Sequence, residues 1–226
     1  MNLIERIHKD GSSHDHTHDG TTHSHNAPFW VRHYDKIVGL VTMGRANKIH
    51  RDTLSLVNLQ AGDVVLDAGC GTGKLILEAE KNVGHLGTAV GLDVEPAMIA
   101  QAKQKASKTG SHATFAVASI DDIPYPDNHF DVVFNSLVYH HLNETQKREG
   151  FKEVLRVLKP NGRLIVVDLN PTRRTLATSL PGHNQLAQED HVRHEAAEQM
   201  KQVGFSKVKV GTHPYKQLSY AIGEKA

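Results

Sequence analysis

Three glycines stand at alternate positions behind an aspartate in Asp67-Ala68-Gly69-Cys70-Gly71-Thr72-Gly73. The apolar run Val64-Val65-Leu66 precedes them, and Lys74 opens a segment whose spacing predicts a helix over Leu75 to about Asn82. The expected local structure is a buried strand that breaks into a tight loop and enters a helix. Glycines there permit backbone angles closed to other residues and let a ligand lie against bare main chain. The helix turns its free N–H groups towards the loop, and such an end suits a carboxylate or a phosphate. The dinucleotide fingerprint G-x-G-x-x-G would need glycine at position 74, where this chain has Lys74.

Two further places carry residues with chemistry. Ala89-Val90-Gly91-Leu92-Asp93 reads as a second strand, and Asp93 falls 26 positions after Asp67. An acid at this strand end can accept two hydrogen bonds from a ribose diol. Phe130 to Asn135 reads as a fourth strand and runs into Ser136-Leu137-Val138-Tyr139-His140-His141. In open α/β sheets ligands bind beyond the carboxyl ends of the strands, so this stretch is expected to face the reactive end of the ligand. Imidazole titrates near neutral pH. His140 is therefore the first candidate general base and His141 the second. Tyr34 is the third candidate catalytic residue, on a helix ahead of the first strand.

The elements that must position these residues can be read in order. Residues 1–27 carry His8, His14, His16, His18, His23 and His25 among Asp, Ser, Thr and Gly. Such a composition cannot build a core and predicts a disordered tail. Its His-x-His spacing suits adventitious metal binding, and no cysteine lies near to close a structural zinc site. Residues 28–60 predict a helical cap, with one amphipathic helix from about Pro28 and a second over Arg45 to Asn58. Residues 61–226 predict one α/β domain. Pro96 opens a helix at a position where its missing N–H costs nothing. Met98 on that helix faces the site or the core. A third strand spans Ala113 to Ala118. Asn143-x-x-Gln146 predicts a capping box, and a fifth strand runs from Leu164 to Leu169. Residues 170–190 predict a long irregular loop, where Arg173 and Arg174 either hold an anionic acceptor or are solvated. A helix over Arg193 to Val203 and a final hairpin complete the chain.

The stretch Asp67-x-Gly69-x-Gly71-x-Gly73 resembles motif I of the class I S-adenosylmethionine (SAM)-dependent methyltransferases, in the style of the ubiquinone/menaquinone-biosynthesis group. Two later stretches follow in matching order. Ser119-Ile120-Asp121-Asp122-Ile123-Pro124-Tyr125-Pro126-Asp127 is similar to the family's G-D-A-E-x-L-P-F-P-D pattern, and Leu158-Lys159-Pro160-Asn161-Gly162 to its L-K-P-G-G turn. The resemblance implies a Rossmann-like, seven-stranded, mostly parallel doubly wound sheet with an antiparallel final strand. It implies SAM as cofactor, held by Asp67, Ala68, Gly69, Cys70, Gly71, Gly73, Asp93, Val94, Met98, Ser119, Ile120, Asn135 and Ser136. The methionine part of SAM would meet Asn135 and Ser136. Ser119 occupies the position of the family's adenine-contacting aspartate, a departure, while the Ile120 N–H remains available to a ring nitrogen.

Composition narrows the classes. The 226 residues carry a formal net charge of +1, which gives no bulk electrostatic case for nucleic acid. A single cysteine excludes an internal disulfide and fits a reducing compartment. No segment approaches the ~20 apolar residues of a membrane span. The expectation is a cytoplasmic SAM-dependent methyltransferase with a small-molecule acceptor, no nucleic-acid partner, no membrane span and no metal site in the domain. Two rivals stand beside it. One is a nucleotide-dependent oxidoreductase, opposed by Lys74 and the final hairpin. The other is a metal-binding or regulatory protein that keeps a SAM-binding fold without catalysis.

Overall fold

The computed structural model describes residues 29–169 and 191–226. The His-rich tail and the loop bearing Arg173 and Arg174 lie outside the described residues. Seven strands form one sheet: β1 (Val64–Ala68), β2 (Thr88–Asp93), β3 (Thr114–Val117), β4 (Phe130–Ser136), β5 (Leu158–Leu169), β6 (Ser206–Thr212) and β7 (Leu218–Glu224). Their order is β3-β2-β1-β4-β5-β7-β6. Strands β1 to β5 pair in parallel, and β7 runs antiparallel to both β5 and β6. This is the expected mostly parallel sheet with an antiparallel last strand.

The helices are α1 (Phe29–Val41), α2 (Ala46–Ser55), α3 (Lys74–Val83), α4 (Pro96–Thr109), α5 (Glu144–Val157) and α6 (His191–Val203). They cover both faces, as the continuous apolar runs of β1, β4 and β5 require. Successive strand residues point to opposite faces. Val65, Val132, Ile165 and Val167 meet α2, α3 and α4 through Ile49, Ile76, Ala79, Ile99 and Ala102. Their neighbours Leu66, Val133, Leu164 and Val166 meet α5 and α6 through Phe151, Val154, Ala196 and Met200.

Local signals set the helix ends. Gln146 N–H donates to Asn143 Oδ1 at 3.0 Å and Asn143 N–H donates to Gln146 Oε1 at 3.2 Å, so the capping box starts α5. Pro96 opens α4 and Gly110 closes it at φ +66°. Helix α2 is shorter than its sequence pattern, because the Leu56 and Val57 N–H groups bond three residues back and Asn58 turns at φ +44°. Strand β5 starts earlier than expected. Leu158 already pairs with Phe130, and the ladder resumes at Arg163 after a shift of register. Asn161 adopts φ +63° within that irregularity, where the family pattern carries glycine.

The strand order reverses between β1 and β4, and a crevice opens there at the carboxyl ends. The cap helix α2 is fixed at the far edge of the same face. His213 is buried and its Nδ1 accepts from the Tyr215 N–H at 2.9 Å. The proton therefore sits on Nε2, which donates to Thr53 Oγ1 of α2 at 3.2 Å.

Candidate active site

The glycine loop is built by the ends of β1 and β2. Gly69 N–H and Cys70 N–H both donate to the Leu92 carbonyl, at 2.7 and 2.8 Å. Gly71 N–H donates to Asp93 Oδ2 at 2.8 Å, and Glu95 N–H donates to Asp93 Oδ1 at 2.9 Å. Asp93 is thus held rigidly across the two strand ends, and each oxygen keeps a lone pair for a diol. Gly69 has φ +92°, and a Cβ there would stand 2.4 Å from Val138 Cγ2. Only glycine allows the loop to close against the β4 side of the crevice.

A cavity of about 480 Å³ lies over this loop. Tyr34, Asp67, Ala68, Gly69, Cys70, Gly71, Asp93, Val94, Met98, Ser119, Ile120, Ser136 and His141 line it. Three of the residues singled out from the sequence stand elsewhere. Gly73 caps α3 at φ +81° and packs against Phe115 and Ala102. Asn135 is fully buried and its Nδ2 donates to the Ala68 carbonyl at 2.8 Å, so it braces the end of β1 from behind the cavity. His140 does not line the cavity; its Nδ1 lies 2.6 Å from Asp168 Oδ1, and its backbone N–H donates to Asp168 Oδ2 at 3.1 Å. Its ring also packs on that of His141, centroid to centroid 3.8 Å.

The charges around the cavity are uneven. Asp67 is 2% exposed, and its Oδ1 finds no hydrogen-bond partner among the described residues. Burial, with Asp93 close by, pushes its carboxyl up to about 8. A buried anion site with an unsatisfied oxygen favours a cation. Burial first, and then Asp93, Asp35 and Asp67, also raise the Tyr34 phenol, which therefore donates rather than accepts a proton at neutral pH. The Cys70 thiol is raised by burial, Asp67 and Asp93, which makes it unreactive.

Sequence reasoning missed the device that holds α1 over the loop. Thr72 Oγ1 donates to Asp35 Oδ1 at 2.7 Å, and Lys105 Nζ of α4 lies 2.5 Å from Asp35 Oδ2. Lys105 also donates to the Thr72 carbonyl at 3.1 Å, and Gln101 Nε2 donates to the Val31 carbonyl at 2.7 Å. Burial alone would raise the Asp35 carboxyl, but Lys105, Thr72 and Lys74 together hold it below its ordinary value. The partners lie more than thirty positions apart, so no local pattern reveals them. His50 of α2 also lines the cavity and was not singled out. Burial, reinforced by Lys74, lowers it to about 4, so it is neutral at pH 7. Thr72, Glu95, Leu142 and Gln146 are further lining residues that the sequence did not single out.

Residues 65–162 match the family described as a methyltransferase domain. The chain is 31% identical over 154 residues to a ubiquinone/menaquinone biosynthesis C-methyltransferase of Pseudomonas putida, covering 67% of this chain and 59% of that relative. It thus spans about three-fifths of the length of the curated relative. Among solved structures, a SAM-dependent methyltransferase from Aquifex aeolicus superposes with a TM-score of 0.71 at 24% identity, over 85% of this chain and 98% of the other. Phosphoethanolamine N-methyltransferase 2 of Haemonchus contortus, solved with S-adenosyl-L-methionine, gives 0.67 at 18% identity, over 86% of this chain and 56% of the other. The sheet order and the glycine loop define a Rossmann-like domain of the kind found in SAM-dependent methyltransferase structures. Over residues 65–162 the chain matches the methyltransferase-domain family, and it is similar to the class I SAM-dependent methyltransferases.

The residues fit that cofactor. SAM carries a sulfonium and an ammonium, and the carboxyl groups of Asp67 and Asp93 stand in one cavity beside a loop of bare main chain. No helix of the described residues is long and apolar enough to cross a membrane. No cluster of metal-ligating side chains occurs among them either.

Proposed function

We propose that this protein transfers a methyl group from SAM to a small apolar acceptor of the phenol or quinol class. The observation that carries the reading is the unsatisfied, buried Asp67 carboxylate facing the glycine loop and Asp93 in one cavity. SAM supplies a methyl group bonded to positively charged sulfur, with a neutral thioether as leaving group. The protein's task is therefore placement, and holding the acceptor in line can contribute ~7–11 kcal/mol.

Asp93 takes the ribose diol, and the glycine loop gives the rest of the cofactor bare main chain to lie against. The rest of the cavity is mostly apolar, lined by Val38, Leu75, Leu137, Val138 and Leu142, with His50, Gln146 and His141 as polar points on that side and Asp35, Thr72, Lys74 and Glu95 on the cap and loop side. Such a lining supports a ring-shaped acceptor with one or two hydroxyls. The relatives of known name, ubiquinone/menaquinone biosynthesis C-methyltransferases, point the same way. Methyl transfer forms a bond from the acceptor to the methyl carbon while the carbon–sulfur pair returns to sulfur. The acceptor must then lose a proton. His141, which lines the cavity, receives it. His140 is the positioning residue: tied to Asp168, it packs on the His141 ring. Tyr34 donates a hydrogen bond to the ligand from the cap.

Incubation with SAM and a panel of demethylated quinols, catechols, thiols and amines tests this reading through release of S-adenosylhomocysteine. Release is expected with the quinols or catechols. Release only with thiols or amines would contradict the acceptor class, and release with none would contradict methyl transfer.

Adenine selection gives a second expectation. The Ser119 hydroxyl donates to Asp121 Oδ1. Its only remaining capacity is as an acceptor, which suits the amino group of adenine where the family pattern has aspartate. S-adenosylhomocysteine should therefore bind at least ~10-fold tighter than S-inosylhomocysteine, which presents a carbonyl there. Asp121→Ala removes the acceptor, frees the Ser119 hydroxyl to donate and should narrow that preference in competition binding. An unchanged preference in Asp121→Ala would remove Ser119 and Asp121 from base selection.

A further inference from the structure

We infer that the outer face of the cap docks on an anionic lipid surface. Helix α1 turns Tyr34, Asp35 and Val38 to the cavity. Residues on its other side are Lys36, Ile37 and Leu40, and Met43 follows in the closing turn at φ +49°. Ile37 is 43% exposed, Leu40 81% and Met43 66%. Single exposed apolar residues are ordinary. Three large ones within seven positions, on a helix and the turn that ends it, form a protruding apolar knuckle.

The charge around the knuckle selects the partner. Residues 29–52 hold five basic side chains, Arg32, Lys36, Arg45, Lys48 and Arg51, against two acidic ones, Asp35 and Asp52. Both acids are engaged: Asp35 is turned inwards to Thr72 and Lys105, and Asp52 is paired with Lys48 at 2.7 Å. Lys36, Arg45 and Arg51 are exposed. The whole chain has a formal charge of only +1, so the positive excess is concentrated on this cap. Apolar residues that protrude among basic ones are the pattern of an interfacial helix, which inserts side chains while its cations meet anionic headgroups. A second copy of this face would bring like charges together, and a purely polyanionic partner would not use Leu40 and Met43. Because α1 also walls the cavity, docking would place the cavity beside the phase in which an apolar acceptor dissolves.

The test uses the full chain with phosphatidylcholine–phosphatidylglycerol vesicles and with pure phosphatidylcholine vesicles, read by co-sedimentation. The protein should partition onto the anionic vesicles, lose that partition in high salt, and bind the neutral ones much less. The double substitution Leu40→Ser, Met43→Ser should lower partition about tenfold or more, with SAM affinity and melting temperature unchanged. Equal partition of wild type and double variant would overturn the inference and assign lipid binding to another part of the chain. It would also be overturned by no partition at all, or by a dimer in sedimentation velocity that the double variant dissolves, which would make the face a contact between copies. None of these readouts depends on methyl transfer.

Discussion

Asp67→Asn should abolish most SAM affinity while making the ligand-free protein more stable above pH 8. Both effects follow from one buried carboxylate. Its folded-state value, about 8, lies well above the ordinary 3.8. Its contribution to stability is therefore full below the unfolded value and is lost as pH rises through the folded one. At 1.36 kcal/mol per unit, that loss has a ceiling of ~6 kcal/mol. Asparagine has no charge to bury, so thermal melts of the variant should exceed wild type at alkaline pH and approach it only near pH 4. A bound cation reverses the balance and favours the carboxylate. Removing one partner of a buried charge pair costs ~3–5 kcal/mol, so SAM affinity should fall about 100-fold or more. S-adenosylhomocysteine, which lacks the sulfonium charge, should lose less. In the wild type, SAM binding near pH 7 should release a proton, visible in calorimetry as a heat that varies with buffer ionisation enthalpy. Equal SAM affinity in Asp67→Asn would mean that the unsatisfied oxygen does not face the cofactor.

His141→Ala should lower turnover by ~10²–10⁴-fold, the usual contribution of a general base, and leave SAM affinity nearly intact. The proposed cofactor contacts, in the glycine loop and at Asp93, do not include this ring. Asp168→Asn acts one step removed. Asp168 receives both the His140 ring and the His140 backbone N–H, so the variant should cost about tenfold in rate with SAM affinity nearly unchanged. Full activity in His141→Ala with loss in His140→Ala would restore His140 as the base.

The legibility of the molecule divides along the distance between partners. The strand, loop and helix around Asp67 occupy one stretch of chain, and their glycine spacing carries the geometry directly. The alternating strand faces and the capping box at Asn143 are equally local. The choice between His140 and His141 was not legible. They are neighbours in a 3₁₀ turn, Tyr139–His141, and which ring faces the cavity depends on Asp168, 28 positions onward. Asp168 itself reads as an ordinary residue near a strand end. Asn135 reads as a ligand contact because it ends β4, yet it spends its amide on Ala68. Asp35 reads as one more charge on an amphipathic helix. Only the folded chain brings Thr72 and Lys105 to it.

Calorimetric titration of the full chain with SAM, S-adenosylhomocysteine and NADH tests the central claim most directly. SAM and S-adenosylhomocysteine should each bind one site per chain, and Asp93→Ala should weaken both by ~1.5–3 kcal/mol, the value of hydrogen bonds to a charged group. NADH should give no heat of binding. Binding of NADH without binding of SAM would contradict the assignment of this site.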